Sequence, residues 1–439
     1  MNYDQDESPG ERSGATRSWL FRNRDFLKLW AGETISDFGS RMGDVAISFA
    51  AVISLHATPF QMGLLSSARI GPALIFSLMA GVWADRVRRR PILIAADLGR
   101  FVLLTSIPIA AIFGVLRIGQ LYAVILANAA LGIFFSVAYR SYLPSLVSRD
   151  QLLDANSKLE ASSAVAEVGG FGLAGWLTQW LTAPFAILID ALSFVASAVA
   201  IFAIGRPEPE PSRKDRRALD EIRQGWACVA GDPRLFAIAI ASAAGALFYS
   251  FFSALYMIFV VDGLGFKPGA LGAIFAVGGV SSLCGALAAE RTAQWFGAGR
   301  AMAVGLAING AAMLLVPIAR GATSVSVALL VAHQLIGDCA GTVYAINRTT
   351  IIQTIAPRPL MGRVNASLSF LALAMSLLGA LVGGWIGGVA GLRPTMVAGA
   401  CTVSLSALIL GFSTIWRMDQ SELSDVADGP AAGALPVSE

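Results

Sequence analysis

Charge is scarce in this sequence: 14% of its 439 residues are Asp, Glu, Lys or Arg, against about 25% in an average soluble domain. With 56% hydrophobic residues and a mean hydropathy of +0.67, this excludes a water-soluble chain, which could not hide so much apolar surface; lipid can accept it. Histidine is nearly absent, with His56 and His333 the two examples. The four cysteines, Cys228, Cys284, Cys339 and Cys401, form no C-x-x-C pair and stand near no histidine cluster. Disulfide and zinc chemistry are therefore not expected. No Walker-type phosphate loop, metal-ligand spacing or His-containing triad is found, so neither an enzyme nor a bound cofactor or metal is expected. The opening residues, MNYDQDESPGERSGATRSW, lack the apolar core of a signal peptide and read as a cytoplasmic tail.

Long apolar runs fill the rest. A spanning helix needs about 20 mostly apolar residues. By that measure helices are predicted at 29–55, 60–84, 91–114, 119–142, 158–182 and 184–205, then at 234–261, 268–291, 299–319, 322–346, 364–390 and 394–416. The reading is an all-α polytopic membrane protein with twelve transmembrane helices in two pseudo-symmetric six-helix bundles. It divides into a tail (1–28), a first bundle (29–205), a linker (206–232), a second bundle (233–416) and an acidic, disordered tail (417–439). RPEPEPSRKDRR in the linker reads as stiff and extended. In the following ALDEIRQGWACVA, Leu219, Ile222, Trp226 and Val229 share one face, which suits a helix on the cytoplasmic membrane surface. The bundles repeat: RSYLPSLVSRDQLLDAN (140–156) parallels RTTIIQTIAPRPLMGRVN (348–365), and GWLTQW (175–180) parallels GWIGGV (384–389), each offset by about 209 residues.

Orientation is set by GVWADRVRRR, residues 81–90. Its arginines resist translocation, so the loop belongs in the cytoplasm, as do both termini. That topology leaves Arg117, Lys267, Arg320 and Arg393 on the outer side. Gly81 and Asp85 stand one helical turn apart, the first permitting close helix approach and the second accepting hydrogen bonds from a neighbouring helix end. The loop resembles the G-x-L-A-D-R-x-G-R-R loop of major facilitator transporters, with Trp83 for the usual leucine and Arg88 for the second glycine. The resemblance covers nearly the whole chain and implies the major facilitator fold. It also implies that Gly81, Asp85, Arg86, Arg89 and Arg90 take part in a cytoplasmic latch that breaks in one conformation. Asp97, Arg100 and Arg140 are candidate members of that latch, with ordinary topological anchoring as the alternative.

Charges inside predicted spans are costly and need partners or a wet cavity. Glu33, Asp37, Arg41 and Asp44 are spaced 4, 4 and 3 apart, so at about 100° per residue they share one helix face, continued by Ser48. One guanidinium among these carboxylates leaves a negative excess suited to carrying a proton, with Arg69 as a further member; the alternative is a static ion-pair cluster. Glu167 and Asp338 are further proton or cavity candidates, and Asp190 is ambiguous. Gly169, Gly170, Gly172 and Gly175 cluster in one span, and Gly379, Gly383, Gly387 and Gly391 recur every fourth residue in another. Such spacing permits close helix packing. The first cluster also resembles the G-P-x-x-G-G antiporter motif, with Gly170 in place of proline.

FRNRDFLKLWAGETISDFGSRMGD, LPSLVSRDQLLDANS and GRVNASLSF resemble the enterobactin-exporter and macrolide-efflux branch of the superfamily. That resemblance implies proton-coupled export of a small amphipathic drug, siderophore or metabolite from the bacterial cytoplasm. Uptake or lipid flipping is the alternative. The expected partners are the substrate, protons and the lipid bilayer, with no nucleic acid, and the chain is expected to act as a monomer.

Overall fold

In the computed structural model, residues 22–208 and 218–418 are described, apart from the side chains of 77–86 and 218–222. Among them there are helices and no strands, as twelve long segments and one shorter connector. The segments are α1 (Arg24–Phe49), α2 (Pro59–Arg86), α3 (Arg89–Ile112), α4 (Ile118–Leu146), α5 (Leu152–Leu181) and α6 (Ala183–Phe202). The connector α7 (Ala218–Gly231) precedes α8 (Pro233–Ile258), α9 (Pro268–Phe296), α10 (Ala298–Met313), α11 (Ser324–Ile355), α12 (Met361–Val389) and α13 (Leu392–Gly411).

Nine of the long segments are long and apolar enough to cross a membrane, counting described residues. The α1 segment falls short because it carries Lys28, Glu33, Asp37, Arg41 and Asp44, and α5 because Glu167, Gln179 and several glycines keep its apolar half from being hydrophobic enough. Part of α2 lies outside the described side chains. The helix count matches the twelve-helix architecture read from the sequence.

Local chemistry sets the helix ends. Asp232 caps α8, accepting from the Arg234 amide at 2.8 Å, and Thr323 caps α11 through the Ser326 amide; each satisfies an N–H that has no partner in the first turn. Gly391, at φ +95°, separates α12 from α13 in a backbone region that favours glycine. It thus lies outside the α12 packing stripe in which the four-residue spacing put it. The repeat is visible in the backbone as well. Wide π-type turns prolong α1 over Ala50–Ser54 and α8 over Phe259–Gly263. Leu55 donates to the Ala50 carbonyl in one and Leu264 to the Phe259 carbonyl in the other, offset by the same roughly 209 residues.

The chain forms two compact units: Met1–Ile47 with Ile75–Asp215, and Ser48–Leu74 with Arg216–Glu439. The first has a core of Phe26, Leu29, Leu93, Phe135, Tyr142, Leu146 and Ile201, all buried. In the second, a Cβ at Gly383 would lie 2.6 Å from the Phe251 Cα, and one at Gly387 2.7 Å from Leu255 Cδ1. Gly379 likewise abuts Leu247. Three of the four predicted glycines therefore seat α12 on α8. The connector packs on protein as well as presenting an amphipathic face: Gly225 meets Arg363 and Ser367 of α12, and Val229 is fully buried. Trp226 is half-buried, whereas the side chains of Leu219 and Ile222 are outside the described set.

Candidate functional site

The first unit concentrates charge where α1, α3 and α6 meet. Glycine makes this possible. A Cβ at Gly39 would lie 2.7 Å from Ser193 Cβ and 2.9 Å from Asp190 Oδ1, and one at Gly43 2.6 Å from Asp190 Cγ. The Asp190 side chain therefore rests directly on the α1 backbone. Asp190 is 3% exposed and its Oδ1 has no hydrogen-bond partner. On α3, Asp97 is 0% exposed and neither carboxylate oxygen makes a hydrogen bond. The buried Ser197 hydroxyl on α6 interacts with it without completing one.

Arg100, one turn beyond Asp97, is the cation of this cluster. Its guanidinium carbon sits 3.8 Å from the centroid of the Phe194 ring. Nε donates to Asn128 Oδ1 at 3.3 Å and Nη2 to Ser40 Oγ at 3.4 Å. Asp190, Asp97, Glu33 and Asp44 all lie within its electrostatic reach. Beside this group, Arg41 Nε stands 3.4 Å from Asp37 Oδ1, one turn away on α1. The α1 ladder thus divides: Asp37 pairs with Arg41, while Glu33 and Asp44 turn their fields toward Arg100.

Other predicted residues lie on α2, α4 and α5. Gly170 and Gly169 seat α5 on α1: a Cβ at Gly170 would lie 2.7 Å from Arg41 Cβ, and one at Gly169 2.8 Å from the Phe38 ring. Gly175 is buried and Gly172 partly buried. Glu167 is exposed on α5, and Arg69 lies in the segment of α2 that belongs to the second unit. Of the latch residues, the side chains of Gly81, Asp85 and Arg86 are outside the described set, and Arg140 is exposed.

Arg89 and Arg90 meet Glu208 instead. The Glu208 carboxylate accepts from the amides of Arg89 (2.6 Å) and Arg90 (3.2 Å) and lies 3.5 Å from Arg89 Nη1. An acid is well placed against the positive end of α3. Nearby, Asp25 accepts from the Gly205 and Arg206 amides, each at 3.1 Å, and from Lys28. Burial opposes ionisation, yet these donors hold the Asp25 carboxyl below its usual value. Asp97 and Arg100 do not join this end: Arg100 lies eleven residues into α3 and belongs to the inner cluster.

The second unit contains a cavity of about 500 Å³ lined by Tyr249, Asn309, Asp338, Tyr344 and Arg348 among others. A wide turn at Gln334–Asp338 interrupts α11 and presents Asp338 there. Gly278 leaves the room that Asp338 and Gln334 occupy. Arg348 Nε donates to Ser242 Oγ at 2.8 Å, and Ser242 Oγ and Tyr344 Oη are 3.1 Å apart. Asn309 donates to the Gly337 carbonyl at 2.8 Å, bracing the turn. His333 is a packing residue, buried against Phe252 and Tyr256 with Nδ1 3.2 Å from the Ala312 carbonyl.

A repeated all-helical membrane fold with buried charge in one unit and a polar-edged cavity in the other defines a polytopic carrier. The chain belongs to the Major Facilitator Superfamily, which it matches over residues 29–379, and is a membrane transporter of that family. It is 27% identical over 404 residues to the multidrug efflux pump Tap of Mycolicibacterium fortuitum, spanning 89% of this chain and 95% of that one. It is 25% identical over 383 residues to the uncharacterized MFS-type transporter YfiS of Bacillus subtilis, spanning 84% and 89%. Among solved structures it resembles the nucleoside transporter NupG (TM-score 0.68, 14% identity, 88% and 98% covered). It also resembles a bacterial homologue of the iron transporter ferroportin (TM-score 0.70, 18% identity, 88% and 98% covered). At such identities these structures bear on the fold alone.

Proposed function

We propose that this transporter is a secondary active exporter, moving a small amphipathic molecule out of the cytoplasm in exchange for protons by alternating access. The observation that carries the reading is the excess of carboxylates around Arg100, four within the reach of one half-buried cation. Net negative charge inside a membrane protein is relieved by taking up protons, so such a cluster couples naturally to a proton gradient. Relatives named as a multidrug efflux pump and, over 54% of this chain, a macrolide efflux protein of Streptococcus pyogenes support the outward direction. The enterobactin-exporter branch adds siderophores to the candidate substrates.

In this reading Glu33, Asp37, Arg41 and Asp44 carry the coupling, with Arg69 assisting, and Asp338 serves the cavity of the second unit. Asp85 and the arginines beside it hold the latch. The two bundles, 29–205 and 233–416, rock about the linker 206–232, in a bacterial cytoplasmic membrane with both termini inside. The chain works as a monomer.

The test uses everted membrane vesicles with an acid interior and two probes, a fluorescent amphipathic cation and a labelled macrolide. An exporter loads the vesicles, and a protonophore abolishes loading. Loading of right-side-out vesicles instead would establish uptake and overturn the direction. Asp37→Asn and Asp44→Asn should each impair loading; full activity in both would remove the α1 carboxylates from the coupling.

A further inference from the structure

The proton reading leaves a more specific question inside the first unit: where the proton binds. Arg100 is committed to the Phe194 face, Asn128 and Ser40. Among the described residues no carboxylate closes to ion-pair distance on it. Asp37 already has Arg41. Asp97 and Asp190 are left as the two fully enclosed carboxylates, with three of their four oxygens making no hydrogen bond. An ionised carboxylate so placed has lost its water and gained no partner, whereas the protonated acid carries no charge to desolvate. Among the described residues no three His, Cys, Asp or Glu side chains are grouped to hold a metal ion.

We propose that Asp97 of α3 and Asp190 of α6, disposed around Arg100, form the proton-binding site of the first unit, and that the α1 ladder beside them couples that proton to transport without itself holding it. The inference rests on the proton-coupled reading above and names its site. Binding forms one O–H bond on a carboxylate oxygen and takes that group's charge from −1 to 0. On Asp97 the new hydroxyl has the Ser197 oxygen beside it as an acceptor.

The groups that face this pair, and must be counted in any pH dependence, come from several helices. From α1 they are Glu33, Asp37 with its partner Arg41, and Asp44; from α3, Arg100. Tyr139 of α4 lies in the field of Glu33, Asp37 and Glu160 of α5, and its hydroxyl also lacks a partner. Asp37 and Glu160 lie at the edge of this set. Gly39 and Gly43 fix the distance between α1 and Asp190, so the site is built by backbone approach and not by loop geometry.

The experiment is a pH titration of the purified full chain, in vesicles of phosphatidylethanolamine and phosphatidylglycerol, followed by infrared difference spectroscopy. The readout is the C=O stretch of protonated carboxylic acids. The wild type should show such a band growing as the pH falls. Asp97→Asn and Asp190→Asn should each lose part of it and the double variant all of it, whereas Glu33→Gln and Asp37→Asn should keep it. Loss of the band in Glu33→Gln or Asp37→Asn instead, or a wild-type band in the double variant, would overturn the assignment. Should the Asn variants fail to fold, Asp97→Glu supplies the test: its titration midpoint must move, and an unmoved midpoint would also overturn it. A band that follows Asp97 and Asp190 without vesicle loading would sink the export reading alone. Proton-driven loading with an unchanged band would sink this assignment alone.

Discussion

Replacing Gly383 with alanine tests how tightly α12 is seated on α8. The added methyl would stand 2.6 Å from the Phe251 Cα, where carbon atoms normally rest about 3.5–4.0 Å apart. The obstacle is backbone, so no rotamer relieves it, and the helices must part by about 1 Å, a gap that forfeits up to half of each contact's attraction. Overpacking of this kind costs about 1–3 kcal/mol. The better helix propensity of alanine returns up to about 1 kcal/mol. Gly388, on the same helix, has nothing within 4 Å of its would-be Cβ, so Gly388→Ala keeps the gain without the clash. The two variants should differ by about 2 kcal/mol, with Gly383→Ala destabilised, which is roughly a 30-fold difference in unfolding equilibrium. Unfolding in mixed micelles titrated with SDS and followed by tryptophan fluorescence measures this directly. Equal midpoints for the two variants would refute the reasoning, because propensity would then be the sole effect.

Further expectations follow from other contacts. Glu208→Ala removes the acceptor for the Arg89 and Arg90 amides, bonds worth about 1.5–3 kcal/mol where a charge is involved. Amide exchange by mass spectrometry should accelerate in the first turn of α3 and not in its centre; unchanged exchange there would dismiss Glu208 as a cap. Asp232→Ala should cost about 1 kcal/mol through loss of the α8 cap, read as a lower midpoint in the same micelle titration. Burial opposes ionisation of Asp232, but the Arg234 side chain and amide outweigh it and hold the carboxyl below its ordinary 3.8. Because its folded value is depressed, its stabilisation is present above the unfolded value and fades as the pH falls through the folded one. Acid unfolding should show that wild-type advantage over Asp232→Ala shrinking below about pH 4; an advantage independent of pH would contradict it. In the cavity, Asp338→Asn and Arg348→Ala should lower vesicle loading several-fold while leaving the unfolding midpoint near wild type, and normal loading by both would take the cavity out of the transport path.

Much of the architecture was legible in the sequence because lipid imposes a simple rule, a long apolar run for each span. The twelve segments, the connector helix and the internal repeat all follow from that rule and from matched wording between the halves. The charge cluster was legible in part. The α1 ladder was visible by its spacing, but which helices it faces was not, since an isolated helix face carries no record of its neighbours. Asp97 and Arg100 group with the cytoplasmic arginines in sequence because they follow that loop closely. A helix beginning at Arg89 carries them two to three turns inward, to Asp190. The sequence does carry one signal of it: Gly39 and Gly43, four apart on α1 beside the ladder, mark where another helix's side chain presses on the backbone. The capping of α3 by Glu208 was hidden for a different reason, as its segment reads as linker. Gly391 continued a numerical pattern but had a turn to make instead.

The central claim is exchange of protons for a small molecule. The most direct measurement places the purified chain in sealed proteoliposomes with a trapped pH-sensitive dye and adds whichever probe loads everted vesicles. The account predicts that probe movement one way drives proton movement the other way, and that a protonophore uncouples the two. Probe movement with the internal pH unchanged would contradict it.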